Sequence, residues 1–111
     1  MRKLLIGAVV VALVGLAAPG FAFACDKEAA QTVQSNLRHL ASWEHKNGRI
    51  EVRWGPVWYS KQDDDYRLAL LKAFANADAC LTGQARDVRF YSPSGKLVGV
   101  ASPSSGVRVI K

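Results

Sequence analysis

The sequence predicts an α+β fold, a two-layer sandwich in which two amphipathic helices pack on one face of a four-stranded, mostly antiparallel sheet. Two patterns support this fold class. Apolar residues recur at helical spacing in two segments, and shorter segments, such as 49–54 and 87–91, alternate between apolar and polar residues. Two Ser-Pro-Ser turns near the end of the chain separate three of these strands, which is typical of an antiparallel meander. The expected element order is α-β-α-β-β-β over residues 25–111.

The first predicted helix begins after Asp26, an effective N-cap, and runs to about His45. Asn47-Gly48 follows and is a common end for a helix. Apolar residues along this segment fall on one arc of the helix, which predicts its packing face. They are Ala29, Ala30, Val33, Leu37, Leu40 and Ala41.

The first predicted strand is RIEVRW, residues 49–54, in which apolar and charged residues alternate strictly. A Gly-Pro pair ends it, and a second helix follows. Ser60 and Asp63 form a capping box at the start of this helix, and Gly83 closes it. Its inward stripe comprises Tyr66, Leu70, Phe74, Ala77 and Leu81. The strand pairs with the later strands either in parallel, through the second helix, or antiparallel at an edge.

Three further strands are predicted at 87–91, 97–101 and 107–111; the first alternates, with Val88 and Phe90 inward, and turns separate the three. If the apolar residues of the sheet face the helices, a basic and aromatic set faces away from them. The outward set comprises Arg49, Arg53, Arg89, Tyr91 and Arg108. Such a face either binds an anionic ligand or is the ordinary solvated face of a sheet covered on one side.

Three aromatic residues, Trp54, Trp58 and Tyr59, cluster around the Gly-Pro bend between the first strand and the second helix. Large flat side chains on a connection bind partners at a small cost in entropy. They equally close the open end of a thin core in a small domain. Both interpretations, a partner-binding loop and a packing cluster, fit the sequence.

Residues 1–24 have the parts of a bacterial-type export signal. Arg2 and Lys3 give a positive start, no charged residue follows until after Ala24, and small residues flank Phe23 just before a cysteine. We therefore expect a cleavable signal peptide and a periplasmic or secreted mature chain, residues 25–111, that forms one small domain. An uncleaved N-terminal anchor is the alternative, because the apolar segment is nearly long enough to span a membrane.

The mature chain contains two cysteines, Cys25 and Cys80. An even number of cysteines in an exported chain predicts a disulfide, here between the start of the first helix and the end of the second. Closing a loop of this length contributes about 4 kcal/mol in the chain-entropy description. Lipidation of Cys25 is the alternative, but Phe23 stands where lipoprotein signals carry a small residue.

Removing Arg2 and Lys3 leaves 13 basic residues against nine acidic ones, a mature charge of +4. This surplus favours an anionic partner or surface, and nucleic acid is a poor candidate partner for an exported chain. The sequence contains no metal-ligand set, nucleophile elbow, phosphate-binding loop or dinucleotide fingerprint, so no cofactor is predicted.

The sequence therefore favours a small, exported, disulfide-linked binding module for a protein or an anionic envelope component. Two rivals remain at this level. One is a small enzyme or enzyme subunit that uses His39 or the acidic residues 63–65, and the other is an envelope protein anchored by a lipid on Cys25.

Overall fold

The computed structural model describes residues 25–111, so the expected signal peptide, residues 1–24, lies outside the described residues. A five-stranded, mostly antiparallel sheet and two helices make up an α+β structure, which confirms the predicted class. In chain order the elements are α1 (Lys27–Leu37), β1 (Ala41–Lys46), β2 (Arg49–Trp54), a short 3-10 helix (Pro56–Tyr59), α2 (Asp64–Thr82), β3 (Val88–Tyr91), β4 (Leu97–Ser102) and β5 (Gly106–Val109).

The prediction of a long first helix and of four strands was wrong. Helix α1 ends at Leu37, and the next segment forms the edge strand β1, paired antiparallel with β2. Asn47 and Gly48 both have positive φ, 55° and 79°, and they form the turn of this hairpin. Asn-Gly favours a two-residue hairpin turn for this conformational reason. The same dipeptide is common at helix ends, but in this chain it forms the turn between β1 and β2.

The sheet follows chain order, β1-β2-β3-β4-β5. Strand β2 pairs with β3 in parallel, so α2 is the crossover between them and the parallel alternative holds. Strands β3, β4 and β5 form the expected antiparallel meander. The register sets Glu51 beside Arg89 and Arg53 beside Tyr91, which decides which side chains meet on the outer face.

Helix α2 begins at Asp64, with Asp63 as its N-cap and Gly83, at φ 87°, as its C-cap. The expected cap at Ser60 is wrong, because this residue ends the 3-10 helix instead. Helix α2 packs on β4 and β5. A Cβ atom at position 99 would collide with the side chain of Leu71, so glycine there permits the close approach of helix and sheet.

Helix α1 packs against α2 and is more exposed than its predicted stripe implied. Ala30 and Leu37 are buried, but Ala29 is exposed and Val33 remains 37% exposed. The helix has only 11 residues, so a narrow contact with one neighbour leaves much of its arc in solvent.

A disulfide joins Cys25 to Cys80, with the two Cα atoms 5.7 Å apart. This confirms the predicted pairing between the start of α1 and the last turns of α2. The Sγ atom of Cys25 is bonded to the Sγ atom of Cys80, so the sulfur that a lipid anchor would need is already in use. Within residues 25–111 no cysteine is free.

A buried ion pair fixes the connection between α2 and β3, and the sequence pattern did not indicate it. Asp78 is 5% exposed and accepts from Arg86 Nε at 3.0 Å and from Nη2 at 2.6 Å. This hydrogen bonding raises the pKa of Arg86 above its ordinary value, so the guanidinium keeps its charge. The guanidinium compensates the charge of the Asp78 carboxylate. A carboxylate buried at this place without a partner would be strongly unfavourable.

Candidate functional site

The aromatic connection between β2 and α2 is mostly core. Trp54 and Trp58 are only 1% and 2% exposed, and their rings stack with centroids 6.1 Å apart. Trp54 also stacks on Phe90 at 6.1 Å. The packing interpretation describes these two tryptophans, since buried rings present no surface to a partner. Tyr59, in contrast, is 51% exposed.

Arg67 holds Trp58 in place from helix α2. Its guanidinium lies 4.9 Å from the Trp58 ring centroid, and its Nε donates to the Trp58 carbonyl at 3.1 Å. A cation over an aromatic face is attracted by the ring quadrupole. The arginine therefore closes the end of the core and fixes the 3-10 helix against α2.

The outer face of the sheet carries the other predicted binding residues, and we define it by Arg53, Arg89, Tyr91 and Arg108. Successive residues of a strand point to opposite faces, so these residues lie across from the buried core positions of their strands. Arg53, Arg89 and Arg108 are exposed and Tyr91 is half-buried. The register aligns Arg89 with Val100 and Val100 with Arg108, so the three strands β3, β4 and β5 share this face.

The outer face carries both carboxylates and arginines, but three of its arginines have no direct carboxylate partner. Glu51 forms an ion pair with Arg49 at 3.3 Å on the same strand. Among residues 25–111, no carboxylate forms an ion pair with Arg53, Arg89 or Arg108. These three charges therefore remain uncompensated by a direct partner, which favours an anionic ligand at this face.

A groove of about 620 Å³ runs along the outer face over β1, β2 and β3. Its polar lining is formed by Ser42, Glu44, Glu51, Arg53 and Tyr91. Glu44 lies directly opposite Glu51 in the antiparallel register, and like charges in that position repel each other. The groove thus has an acidic part at the Glu44–Glu51 pair and, further along the same strands, a basic and aromatic part at Arg53 and Tyr91.

The β1 contribution to this groove does not follow from the sequence prediction, because that prediction extends the first helix to about His45. As a strand, the segment places Ser42 and Glu44 on the same face as Arg53 and Glu51. The signal that would have found them is the Asn-Gly turn taken as a hairpin, because it makes the preceding segment a partner of β2.

The groups named for the rival enzyme interpretation are His39 and the acidic residues 63–65. His39 is exposed and forms no ion pair in the described part of the chain. Asp63 caps helix α2 through the Asp65 amide at 2.9 Å, and Asp64 pairs with the C-terminal Lys111 at 2.6 Å. The acidic segment is therefore explained by the start of the helix.

Residues 25–111 contain no group of three or more His, Cys, Asp or Glu side chains placed to hold a metal ion. Neither α1 nor α2 combines the length and the apolar character that a membrane span requires. Comparison of the chain with protein-family models, with curated proteins and with solved structures gave no match.

Proposed function

We propose that this protein is an exported, disulfide-linked binding module whose outer sheet face binds an anionic component of the cell envelope. The observation that carries the proposal is the set of three exposed arginines, Arg53, Arg89 and Arg108, that lack carboxylate partners on one face. Tyr91 and the groove beside Arg53 add a concave, partly aromatic surface. Charge draws the ligand to the face, and the groove gives it a place to bind.

Two features support the proposed location. The first 24 residues have the composition of an export signal. The disulfide between Cys25 and Cys80 is of a kind that persists in oxidising compartments. Intact mass after expression of the full chain in bacteria tests this part. We expect a chain that begins at Cys25 and is two hydrogen atoms lighter than its dithiol form, whereas a lipid adduct or an uncut chain contradicts it.

The binding test compares dextran sulfate with neutral dextran, two polymers that share a backbone and differ in charge. We expect residues 25–111 to bind dextran sulfate in a salt-sensitive manner and neutral dextran far more weakly. The triple variant Arg53→Gln, Arg89→Gln, Arg108→Gln is expected to lose at least about tenfold in affinity, because each cation near an anionic surface contributes on the order of 1 kcal/mol.

A matched control removes the same amount of charge elsewhere. Lys27, Lys61 and Lys72 are exposed on or near the helices, and their triple change to Gln alters the net charge equally. We expect this control to retain most of the affinity for dextran sulfate. Equal losses in both triple variants would mean that overall charge, and not the outer face, attracts the polymer. An absence of binding by the unmodified chain would refute the proposed function itself.

A further inference from the structure

The groove of about 620 Å³ on the outer face carries charges of both signs. Its charged lining residues are Glu44, Glu51 and Arg53. In the antiparallel register Glu44 lies opposite Glu51 and Ser42 lies opposite Arg53, so these four side chains share one face of the sheet. Arg53 also lies beside Tyr91 of β3 in the parallel register. The acidic and basic groups of the groove therefore occupy successive positions along the same strands.

Arg53 is the cation of this groove that remains available to a ligand. It donates from Nε, at 3.1 Å, and from Nη2 to the carbonyl oxygen of Pro93 in the β3–β4 turn. A carbonyl orients a guanidinium without cancelling its charge. Within residues 25–111, Nη1 makes no hydrogen bond and no carboxylate forms an ion pair with Arg53. A positioned guanidinium with a free donor matches the oxygen atoms of a phosphate or carboxylate group.

Glu44 is the available anion of the same groove. Glu51 is already paired with Arg49 at 3.3 Å. Glu44, in contrast, is exposed and forms no ion pair in the part of the chain that the structure describes. Its position opposite Glu51 makes the potential there more negative, since like charges face each other. An ammonium group bound to Glu44 would relieve this repulsion and donate to the carboxylate oxygens.

A ligand with only one sign of charge fits one part of this groove and is repelled by the other. A purely anionic ligand would meet the carboxylate of Glu44, and a purely cationic one would meet the guanidinium of Arg53. Arg53 lies two residues beyond Glu51, which is about 7 Å along β2. A small ligand between the two groups is therefore favoured at both ends when its own opposite charges are separated by a short linker.

We propose that this groove binds a zwitterionic group, in which an ammonium and a phosphate or carboxylate are joined by a short linker. The ammonium binds to Glu44. The anionic end accepts hydrogen bonds from Arg53 and from the hydroxyl groups of Ser42 and Tyr91, which line the groove beside it. The groove volume lies in the middle of the range for small-molecule sites. This inference rests on the proposed function, since it names the chemical group that the outer face recognises.

Nuclear magnetic resonance titration of residues 25–111 with four small probes tests the site. Phosphoethanolamine and β-alanine carry both charges, whereas ethanolamine and inorganic phosphate carry one sign each. We expect at least one of the first two to bind at least about tenfold more tightly than ethanolamine or phosphate, because two sets of contacts then act together. The backbone amide signals of Ser42, Arg53 and Gly95, which line the groove, should shift. Equal affinity of all four probes, or shifts confined to other regions, would overturn the inference.

Two variants separate the contributions of the two charges. Glu44→Gln should weaken binding of the zwitterion about tenfold but leave the affinity for phosphate unchanged or higher, because an amide does not repel an anion. Arg53→Gln should weaken binding of both the zwitterion and phosphate about tenfold, since both use the guanidinium. A parallel loss for both probes in Glu44→Gln would contradict the assigned role of this carboxylate.

Matched controls make the same changes of charge away from the sheet. Glu28 on α1 and Lys72 on α2 are exposed and do not line the groove. Glu28→Gln and Lys72→Gln are each expected to change the affinity for the zwitterion less than twofold. A loss in a control as large as that in its partner variant would overturn the placement. Near-UV circular dichroism verifies that each variant is folded.

The proposed group occurs on free solutes and on phospholipid headgroups, and cosedimentation distinguishes these two sources. Residues 25–111 are mixed with vesicles of phosphatidylcholine that contain or lack phosphatidylethanolamine. Sedimentation only with the ethanolamine lipid, abolished by Glu44→Gln, supports a headgroup ligand. A chain that binds the free probe but no vesicle supports a soluble ligand. Equal sedimentation with both vesicles contradicts the role of Glu44, because a quaternary ammonium cannot donate a hydrogen bond to a carboxylate.

The two proposals fail in distinguishable ways. If dextran sulfate binds but the zwitterions bind no more tightly than phosphate, the zwitterionic site is refuted and the wider anionic face stands. If a zwitterion binds and depends on Glu44 and Arg53 while dextran sulfate does not bind, the groove is supported and the role of Arg89 and Arg108 is removed. If neither the polymer nor the zwitterions bind, both proposals are refuted.

Discussion

The connection between β2 and α2 and the outer face of the sheet both combine aromatic rings with arginines, yet they use them in opposite ways. In the connection, Arg67 covers the buried Trp58 ring and bonds to its carbonyl. On the outer face, Arg53 lies exposed beside the half-buried Tyr91 and is held by the carbonyl of Pro93. The first arrangement seals the core, whereas the second leaves charge and ring surface accessible to a ligand.

The difference shows that residue type alone does not identify a binding surface in a small protein. Burial of a tryptophan removes a large apolar area from water, and this stabilises the thin core of a small domain. A guanidinium stays at the surface because burying its charge without a partner is unfavourable. The aromatic connection therefore supports stability, and the basic face is the surface that we propose binds a ligand.

The largest effect that tests this comparison is expected from Trp58→Ala. Truncation removes a side chain that is 2% exposed and stacked on Trp54, so the free energy of unfolding should fall by about 4 kcal/mol. Urea denaturation followed by circular dichroism measures the loss. Trp58→Phe, which keeps an aromatic ring in the same place, should lose less than half as much. A change below about 1 kcal/mol for the alanine variant would show that the ring does not support the core.

A smaller effect on the free energy of unfolding should distinguish Arg67 in the connection from Arg53 on the outer face. Arg67→Ala loses a cation–ring contact and a hydrogen bond to a partly buried carbonyl, and the free energy of unfolding should fall by about 1 to 2 kcal/mol. Arg53→Ala should change it by less than about 0.5 kcal/mol, because the side chain is exposed. The affinity for dextran sulfate should respond in the reverse order. Identical stability losses for the two variants would abolish the distinction between the two regions.

The smallest effect is expected from Tyr59→Ser in the exposed part of the connection. Tyr59 is 51% exposed, so its loss should change the free energy of unfolding by less than about 0.5 kcal/mol. Because we assign ligand binding to the outer face and not to the connection, the affinity for dextran sulfate should change less than twofold. A clear loss of affinity in the same titration would return this aromatic residue to the set of binding residues.

Much of the fold follows from local sequence signals. The C-terminal cap of α2, the alternation of β2 and the antiparallel meander of β3 to β5 are confirmed, because each depends on periodicity or turn chemistry within a few residues. The sequence pattern does not predict strand β1 in the same way. It is an edge strand in which only Ala41 and Trp43 are partly buried, so its alternation is weak. Its pairing with β2 depends on the Asn-Gly hairpin.

The candidate site was only partly predictable for the same reason. The outward direction of Arg53, Arg89, Tyr91 and Arg108 follows from strand alternation and holds in the structure. The participation of Ser42 and Glu44 does not follow from it. These residues reach the site only because β1 folds back along β2, and a helix at the same positions would have placed them elsewhere.

By itself the amino-acid sequence determined the α+β class, helix α2 and the meander, since periodicity and turn residues decide these locally. It also determined the pairing of Cys25 with Cys80, because two cysteines allow only one intrachain disulfide. The tertiary structure alone decided that Trp58 is buried and that Glu44 faces Glu51 and shares one groove with Arg53. The physical reason is that burial and the meeting of charges depend on register between segments distant in the chain, which no local pattern encodes.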